Sequence, residues 1–285
     1  MRIVASNPWL ERRVLNYAHQ GGAREAPSST LHAIRTALAA GATAIELDVH
    51  ATADRHLVVC HDETVDRTTN GAGVIAEMSL AEVRTLDNAH WWSPGYVVAP
   101  NADDWPLRGR APADPDLRVA LLDEVLDAFP GVFLNLDIKR TAPEAEPYEA
   151  LLADALRNHG RTDDVIVASF IDRATDAFSE LAPDVPTSLG TNGTAAFYFA
   201  VLAGDAPPPT RHVALQVPPD FQGTPVVTRP LVEVAHGAGI AVHVWTIDDA
   251  SEMERLLDLG VDGIITDRPS VCTDVLARRA LTYRP

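Results

Sequence analysis

The sequence predicts an α/β protein folded as a (β/α)8 barrel, on three observations. Short runs rich in β-branched and other apolar residues recur along the chain and alternate with helix-like segments, as in a parallel sheet covered by helices. About eight strand–helix units are spread over a chain of 285 residues, and roughly 250 residues is the usual size of such a barrel. The GxGxxG fingerprint of many open doubly wound sheets is absent, as is the phosphate loop GxxxxGK followed by Ser or Thr.

Taken in order, Val14 to Ala18 reads as the first strand, stopped by Gly21 and Gly22, whose lack of a Cβ lets a ligand approach the backbone. Ser28 to Ala40 reads as a helix ended by Gly41, and Ala44 to His50 as the second strand. Leu57 to Cys60 is the next short apolar run. From Thr64 to Val119 the rhythm breaks into Pro-, Gly-, Asp- and Asn-rich sequence with one helix-like piece, Ser79 to Leu86. Residues 64–119 are too long for an ordinary βα loop and read as an insertion over the C-terminal mouth of a single domain spanning 1–285. Further strands are expected at Phe133 to Ile138, Val165 to Phe170, Thr187 to Leu189, Val213 to Val217, Ala241 to Trp245 and Gly263 to Thr266. Helices are expected at Glu146 to His159, Arg173 to Leu181, Arg229 to Ala238 and Ala250 to Leu259.

Composition narrows the partners. Forty acidic residues against 23 basic ones give a net charge of −17, so a nucleic-acid partner lacks its basic footprint and an anionic membrane surface repels the chain. The expected partner is a small molecule. Cys60 and Cys272 form no disulfide framework and no zinc spacing, the first residues carry no signal-peptide run, and no stretch is long enough to span a bilayer; the expected location is the cytoplasm. Of the basic residues, Lys139 alone is a lysine.

The chemistry is concentrated at strand ends. In Ile45-Glu46-Leu47-Asp48-Val49 the two carboxylates lie two apart, so on a strand they share the face opposite Leu47. The outer face of a barrel strand meets helices and takes the apolar residues, which turns Glu46 and Asp48 inward near the mouth. Two like charges in a site of low dielectric require something positive, either an arginine partner or a divalent metal, and the metal is the better explanation. Asp137 and Lys139 repeat the spacing at the end of another strand, a third oxygen ligand and a cation for an anionic substrate. An all-carboxylate set selects Mg2+, Ca2+ or manganese over zinc. His19 and His61 close runs on either side of the acidic strand and are the candidates for general acid and base. Tyr17 and Phe170 read as core. His90-Trp91-Trp92 is left between a lid and the insertion's own core.

These motifs together resemble the glycerophosphodiester phosphodiesterase family over nearly the whole chain. The matching segments are His19-Gln20-Gly21, Glu46-Leu47-Asp48, His61-Asp62 running into Arg67-Thr68-Thr69, Asp137-Ile138-Lys139, Val242 to Thr246, and Gly260 to Asp267. The resemblance implies metal-dependent hydrolysis of a glycerophosphodiester to glycerol 3-phosphate and an alcohol on a (β/α)8 barrel, with His19 and His61 catalytic. It also implies Glu46, Asp48 and Asp137 holding Mg2+ or Ca2+, Lys139 and Gln20 binding the substrate, and Trp245 walling its pocket. Three positions depart from the family pattern. Gln20 replaces an arginine that touches phosphate, leaving more of that task to Lys139; Ser28 replaces a glutamate and, with Ser29, reads only as a helix cap; Asp137 replaces a glutamate one methylene longer. The rival readings are a lysophospholipase D or sphingomyelinase D of the same superfamily, and an idle phosphate- or headgroup-binding barrel.

Overall fold

The structure, a computed structural model, describes residues 7–139, 147–281 and 283. Its strands are β1 (Leu15–His19), β2 (Ala44–Ala51), β3 (Leu57–Val59), β4 (Phe133–Ile138), β5 (Val165–Ala168), β6 (Ala214–Val217), β7 (Asp220–Phe221), β8 (Thr224–Pro225), β9 (Ala241–Val244) and β10 (Gly263–Thr266). The α-helices are α1 (Pro8–Glu11), α2 (Leu31–Ala39), α3 (Leu80–Val83), α4 (Leu122–Ala128), α5 (Glu149–Asn158), α6 (Asp172–Leu181), α7 (Thr191–Ala203), α8 (Arg229–Gly237), α9 (Ala250–Leu259) and α10 (Pro269–Arg278).

A parallel sheet runs β5-β4-β2-β1-β10-β9-β6. Its two ends are joined by Thr187 and Ser188, which bridge in parallel to Val167 of β5 and Ala214 of β6. The predicted barrel is therefore present, with Thr187 to Leu189 contributing its shortest strand position. Leu57 to Cys60 is not a barrel strand. β3 pairs antiparallel with β2, Val49 facing Val59, and returns the chain along the mouth so that His61 follows directly. An apolar run of three or four residues carries no sign of its direction, and only pairing decides it.

Strand alternation sorts the side chains. Ile45, Leu47 and Val49 of β2 pack outward against Ile34 of α2 and Leu122 and Val125 of α4 in one buried cluster. On the other side Leu215, Val217, Val242 and Val244 meet Leu231 of α8, Met253 and Leu256 of α9, and Val275 of α10. Trp9 of α1, fully buried, closes the N-terminal end of the barrel against Leu15, Tyr17, Ala44, Ala214 and Ala241. The side chain of Asn7 fixes this plug by donating to the carbonyls of Val213 and Gly239, each at 2.8 Å.

Two local expectations are corrected. The cap of α2 is Thr30, not Ser28 or Ser29: its hydroxyl accepts from the Ala33 amide at 3.0 Å. Gly21 has φ +84, and a Cβ there would lie 2.8 Å from the Cβ of Ala33, so the close approach this glycine permits is that of α2 rather than of a ligand. The segment 64–119 has small cores of its own, Val65, Ile75, Val83, Leu86 and Val119 in one and Ala89, Ala111 and Leu117 in another. It is fastened to the β1–α2 loop: Trp92 Nε1 donates to the Ala23 carbonyl (3.1 Å) and Asn88 Nδ2 to that of Ser28 (3.0 Å). Trp91 and Trp105 hold the Arg108 guanidinium, 4.6 and 3.5 Å from their ring centroids.

Inside the barrel His243 is fully buried beside Tyr17 (ring centroids 5.0 Å apart) and Trp9 (6.3 Å), and neither ring nitrogen has a protein hydrogen-bond partner. Burial alone pushes its pKa down from 6.5 to about 3. A group whose folded pKa is depressed stabilises the fold fully above its unfolded value and less as the pH falls toward the folded one. Stability is accordingly expected to drop by about 1.4 kcal/mol per pH unit below about pH 6.5 from this residue. Urea unfolding over that acid range should show a flatter dependence in His243→Leu than in the parent; equal slopes would mean that His243 finds a proton acceptor or water in solution.

Candidate active site

Register builds the site from the strands. β1 and β2 set His19 beside Glu46; β2 and β4 set Glu46 beside Asn135 and Asp48 beside Asp137. Strand alternation turns these side chains inward at the C-terminal mouth, where His19, Glu46, Asp48, Asn135, Asp137, Lys139 and His61 all line one cavity of about 620 Å³. Below them Asn135 and Gln216 exchange side-chain hydrogen bonds across the barrel at 3.2 and 3.1 Å, giving the site a polar floor.

The two histidines arrive from different elements and face each other. Their ring centroids are 6.3 Å apart and nearly perpendicular. Each is held at Nδ1 by an aspartate, His19 by Asp267 at 2.6 Å and His61 by Asp62 at 2.7 Å, which turns Nε2 of both away from the aspartates; that of His19 has the Gln20 side-chain nitrogen at 3.3 Å and Glu46 Oε2 at 3.8 Å. Arg67 in turn donates to both oxygens of Asp62. Burial alone would lower the His19 pKa, but the hydrogen bond to Asp267 and the charge of Glu46 outweigh it and hold the imidazole at about 9. Asp62 is partly buried, yet His61 and Arg67 keep its pKa below the usual carboxylate range.

The acidic wall is the electrostatic problem of the site. Lys139 Nζ lies 3.1 Å from Asp48 Oδ1 and 2.9 Å from Asp137 Oδ2, an ion cluster almost out of contact with solvent. Burial works against the ammonium, but the two aspartates raise its pKa above the usual lysine value. Glu46 is paired more loosely, its Oε2 3.8 Å from His19 Nε2, and burial, then the charge of Asp48, push its pKa up to about 8. One oxygen each of Asp48 and Asp137 is buried with no hydrogen-bond partner. Among the described residues no three His, Cys, Asp or Glu side chains converge closely enough to enclose an ion in this arrangement.

Trp245, just past β9, lines the cavity and packs edge-on against Phe170, centroids 5.6 Å apart. Phe170 is not a core residue, as its strand-end position suggested, but 53% exposed on the rim, because β5 ends at Ala168 and the chain has already turned outward. Tyr17 is in the core as expected. Gln20 is buried; its side-chain nitrogen is 3.3 Å from His19 Nε2, its backbone amide donates to Glu46 Oε2 (3.2 Å), and it is not among the residues lining the cavity. Nor is any described residue of 64–119, so His90-Trp91-Trp92 lies outside the cavity wall. Sequence reasoning missed Asp267 as the His19 partner, although it follows β10 as His19 closes β1, two neighbouring strands. It missed α7 altogether, whose Ala195 to Ala203 run is apolar on every side and carries no helical period.

A parallel barrel with two aspartate-held histidines and an acid–lysine cluster at its C-terminal mouth has the architecture of a barrel enzyme. The glycerophosphoryl diester phosphodiesterase family model matches residues 19–271, and the chain belongs to that family, whose members are phosphoric diester hydrolases. The chain is 31% identical over 266 residues to the glycerophosphodiester phosphodiesterase of Bacillus subtilis strain 168, covering 91% of this chain and 85% of the relative. It is 29% identical to that of Caldanaerobacter subterraneus subsp. tengcongensis, covering 93% and 99%. The crystal structure of the Agrobacterium tumefaciens C58 glycerophosphodiester phosphodiesterase superimposes with a TM-score of 0.67 at 26% identity, covering 90% of this chain and 97% of that one. An Oleispira antarctica phosphodiesterase in complex with its product sn-glycerol-3-phosphate shares the fold with a TM-score of 0.69 at 22% identity, covering 92% and 96%.

Because Lys139 is the cation between two buried aspartates, removing it leaves an uncompensated pair. Lys139→Met is expected to lose about 3 kcal/mol of stability in chelator at pH 8, and a second change, Asp48→Asn, to recover part of it. Urea unfolding of the single and double variants measures this; an unchanged midpoint in Lys139→Met would show the cluster to be hydrated.

Proposed function

We propose that this protein hydrolyses glycerophosphodiesters to glycerol 3-phosphate and an alcohol, with His19 and His61 as the proton-transferring pair. The observation that carries the reading is the facing of two aspartate-held imidazoles across a carboxylate–lysine wall inside one cavity. The names of the Bacillus subtilis and Caldanaerobacter relatives and the product bound to the Oleispira enzyme support the substrate class.

Each imidazole is fixed in tautomer and direction by its aspartate, so Nε2 of one accepts a proton from the attacking hydroxyl or water while Nε2 of the other protonates the departing alkoxide. Lys139 is the only lysine or arginine among the described residues of the cavity wall and attracts the phosphate. Trp245 shapes the side of the pocket next to it. Gln20, its side-chain nitrogen 3.3 Å from His19 Nε2 and absent from the cavity wall, acts on the substrate through that ring.

Glu46, Asp48 and Asp137 are the residues that would hold a divalent cation. As placed they do not close around an ion, but their chemistry suits one: Asp48 and Asp137 each engage Lys139 through one oxygen and leave the other buried and unpartnered, and Glu46 is an ionisable group that burial and Asp48 disfavour as a free carboxylate. An all-oxygen set suits Mg2+ or Ca2+. When bound, the cation supplies positive charge to the phosphate oxygens that this acidic protein otherwise repels.

Purified protein is expected to release glycerol 3-phosphate from glycerophosphocholine, to lose that activity in chelator and to regain it with Mg2+ or Ca2+ better than with Zn2+. His19→Ala and His61→Ala should each lower kcat by roughly 10²- to 10⁴-fold with the circular dichroism spectrum unchanged. Turnover within threefold of the parent in either folded variant, or full activity after exhaustive chelation, would sink the corresponding assignment.

A further inference from the structure

Asp267, the buried partner of His19 Nδ1, is itself held through its main chain on both sides. Its backbone amide donates to Asp248 Oδ1 at 2.9 Å, and its carbonyl accepts from the Arg24 amide at 3.2 Å. The hydroxyl of Thr266, fully buried at the end of β10, donates to the same Asp248 oxygen at 3.0 Å and accepts from the Arg268 amide at 3.0 Å. Asp248 Oδ2 in turn meets Arg24 Nε at 3.1 Å, so Arg24, Asp248 and Asp267 form a closed ring of contacts.

The surroundings of Asp248 exclude three simpler roles. It does not cap α9, because Asp249 does so, accepting from the Ser251 and Glu252 amides at 2.9 and 3.0 Å. It does not touch substrate, since neither Asp248 nor Arg24 lines the cavity. Its ion pair is not the main reason for its place either: the two side chains are 22% and 46% exposed, and a pair so open to water contributes little. What remains are the two bonds that Asp248 Oδ1 accepts from consecutive residues, which fix the direction in which the chain leaves β10. Ala18 of β1 faces Thr266 of β10, so His19 and Asp267 follow each other across two neighbouring strands. A shift of the turn after β10 therefore moves Asp267 relative to His19 rather than with it.

We propose that Asp248 is a positioning residue for proton transfer at His19: by pinning the Thr266 hydroxyl and the Asp267 amide it sets the Asp267 carboxylate, and through it the direction of His19 Nε2. Arg24 keeps the Asp248 carboxylate turned toward β10 rather than toward water. The proposal rests on the phosphodiesterase reading above. Proton transfer is sensitive to such displacement, a misplacement of about 1 Å costing on the order of 10²-fold in rate. The support also runs outward, because the Gly95 amide donates to the Arg24 carbonyl at 2.9 Å and ties the segment 64–119 to this ring.

The test compares Asp248→Leu, which removes the acceptor at similar size, with Asp248→Asn, which keeps Oδ1 for both bonds and loses only the charge. In glycerophosphocholine hydrolysis Asp248→Leu is expected to lower kcat about 10- to 100-fold with KM within about twofold of the parent, and Asp248→Asn to restore most of the rate. Arg24→Gln, which keeps the backbone bond to Asp267, should cost less than about fivefold. Folding is checked by thermal midpoints, and Asp248→Ala carries the same expectation if Asp248→Leu does not fold. A readout independent of turnover is the low-field proton NMR resonance of the His19 Nδ1 hydrogen, identified by its loss in His19→Ala. It should hold its position in Asp248→Asn and move or vanish in Asp248→Leu, with the His61 resonance unaltered. An unchanged kcat in Asp248→Leu, an equal loss in Asp248→Leu and Asp248→Asn, or a His19 resonance unmoved in Asp248→Leu each overturns the proposal. A parent protein that hydrolyses no glycerophosphodiester defeats the phosphodiesterase reading instead, and the resonance then decides by itself whether Asp248 positions His19.

Discussion

Everything at the mouth of this barrel depends on keeping three carboxylates together in a place that water hardly reaches. Glu46, Asp48 and Asp137 stand on adjacent parallel strands, and the pairing of β2 with β4 brings Asp48 and Asp137 into register. Like charges so placed repel strongly, and each loses hydration as well. The single lysine of the chain meets this demand by bridging both aspartates. Glu46 is paired only loosely, 3.8 Å from His19 Nε2, and the two unpartnered oxygens nearby show that Lys139 does not exhaust the demand for positive charge.

The rest of the site follows from that acidic wall. His19 is drawn toward protonation by Asp267 and Glu46, while His61 is set by Asp62, itself gripped by Arg67. The histidines share no element: one ends β1, the other follows the β2–β3 hairpin, and the fold supplies their facing geometry. Aspartates at Nδ1 turn flexible rings into groups of fixed direction, a condition for proton transfer at a defined atom. The segment 64–119 supports this arrangement from outside. It clamps the β1–α2 loop through Trp92 and Asn88 and puts no described residue into the cavity wall.

Polarity divides the cavity sharply along the Phe170–Trp245 pair. On one side lie the ionisable groups over an Asn135–Gln216 floor; on the other are α7 and the β7–β8 hairpin, which carry no charge except Asp220 of the hairpin. A rim of this kind costs solubility, and the protein's large negative charge offsets that cost.

Much of this was legible in the chain itself. Alternating apolar runs and helices determined the barrel, because parallel strands buried on both faces must be short and apolar and must be covered by helices. The two-residue spacing in Glu46-Leu47-Asp48 and in Asp137-Ile138-Lys139 determined that these side chains share the inner face, since strand periodicity leaves no other choice. What the sequence could not determine were relations between distant segments. The direction of β3, the burial of Gln20 behind His19, the Asp267–His19 pair and the exposure of Phe170 each depend on where another part of the chain comes to rest. α7 escaped notice because a helix apolar on every side has no period to read, and only the packing of the barrel decides that Phe197 faces inward while Phe199 and Leu202 stay in water.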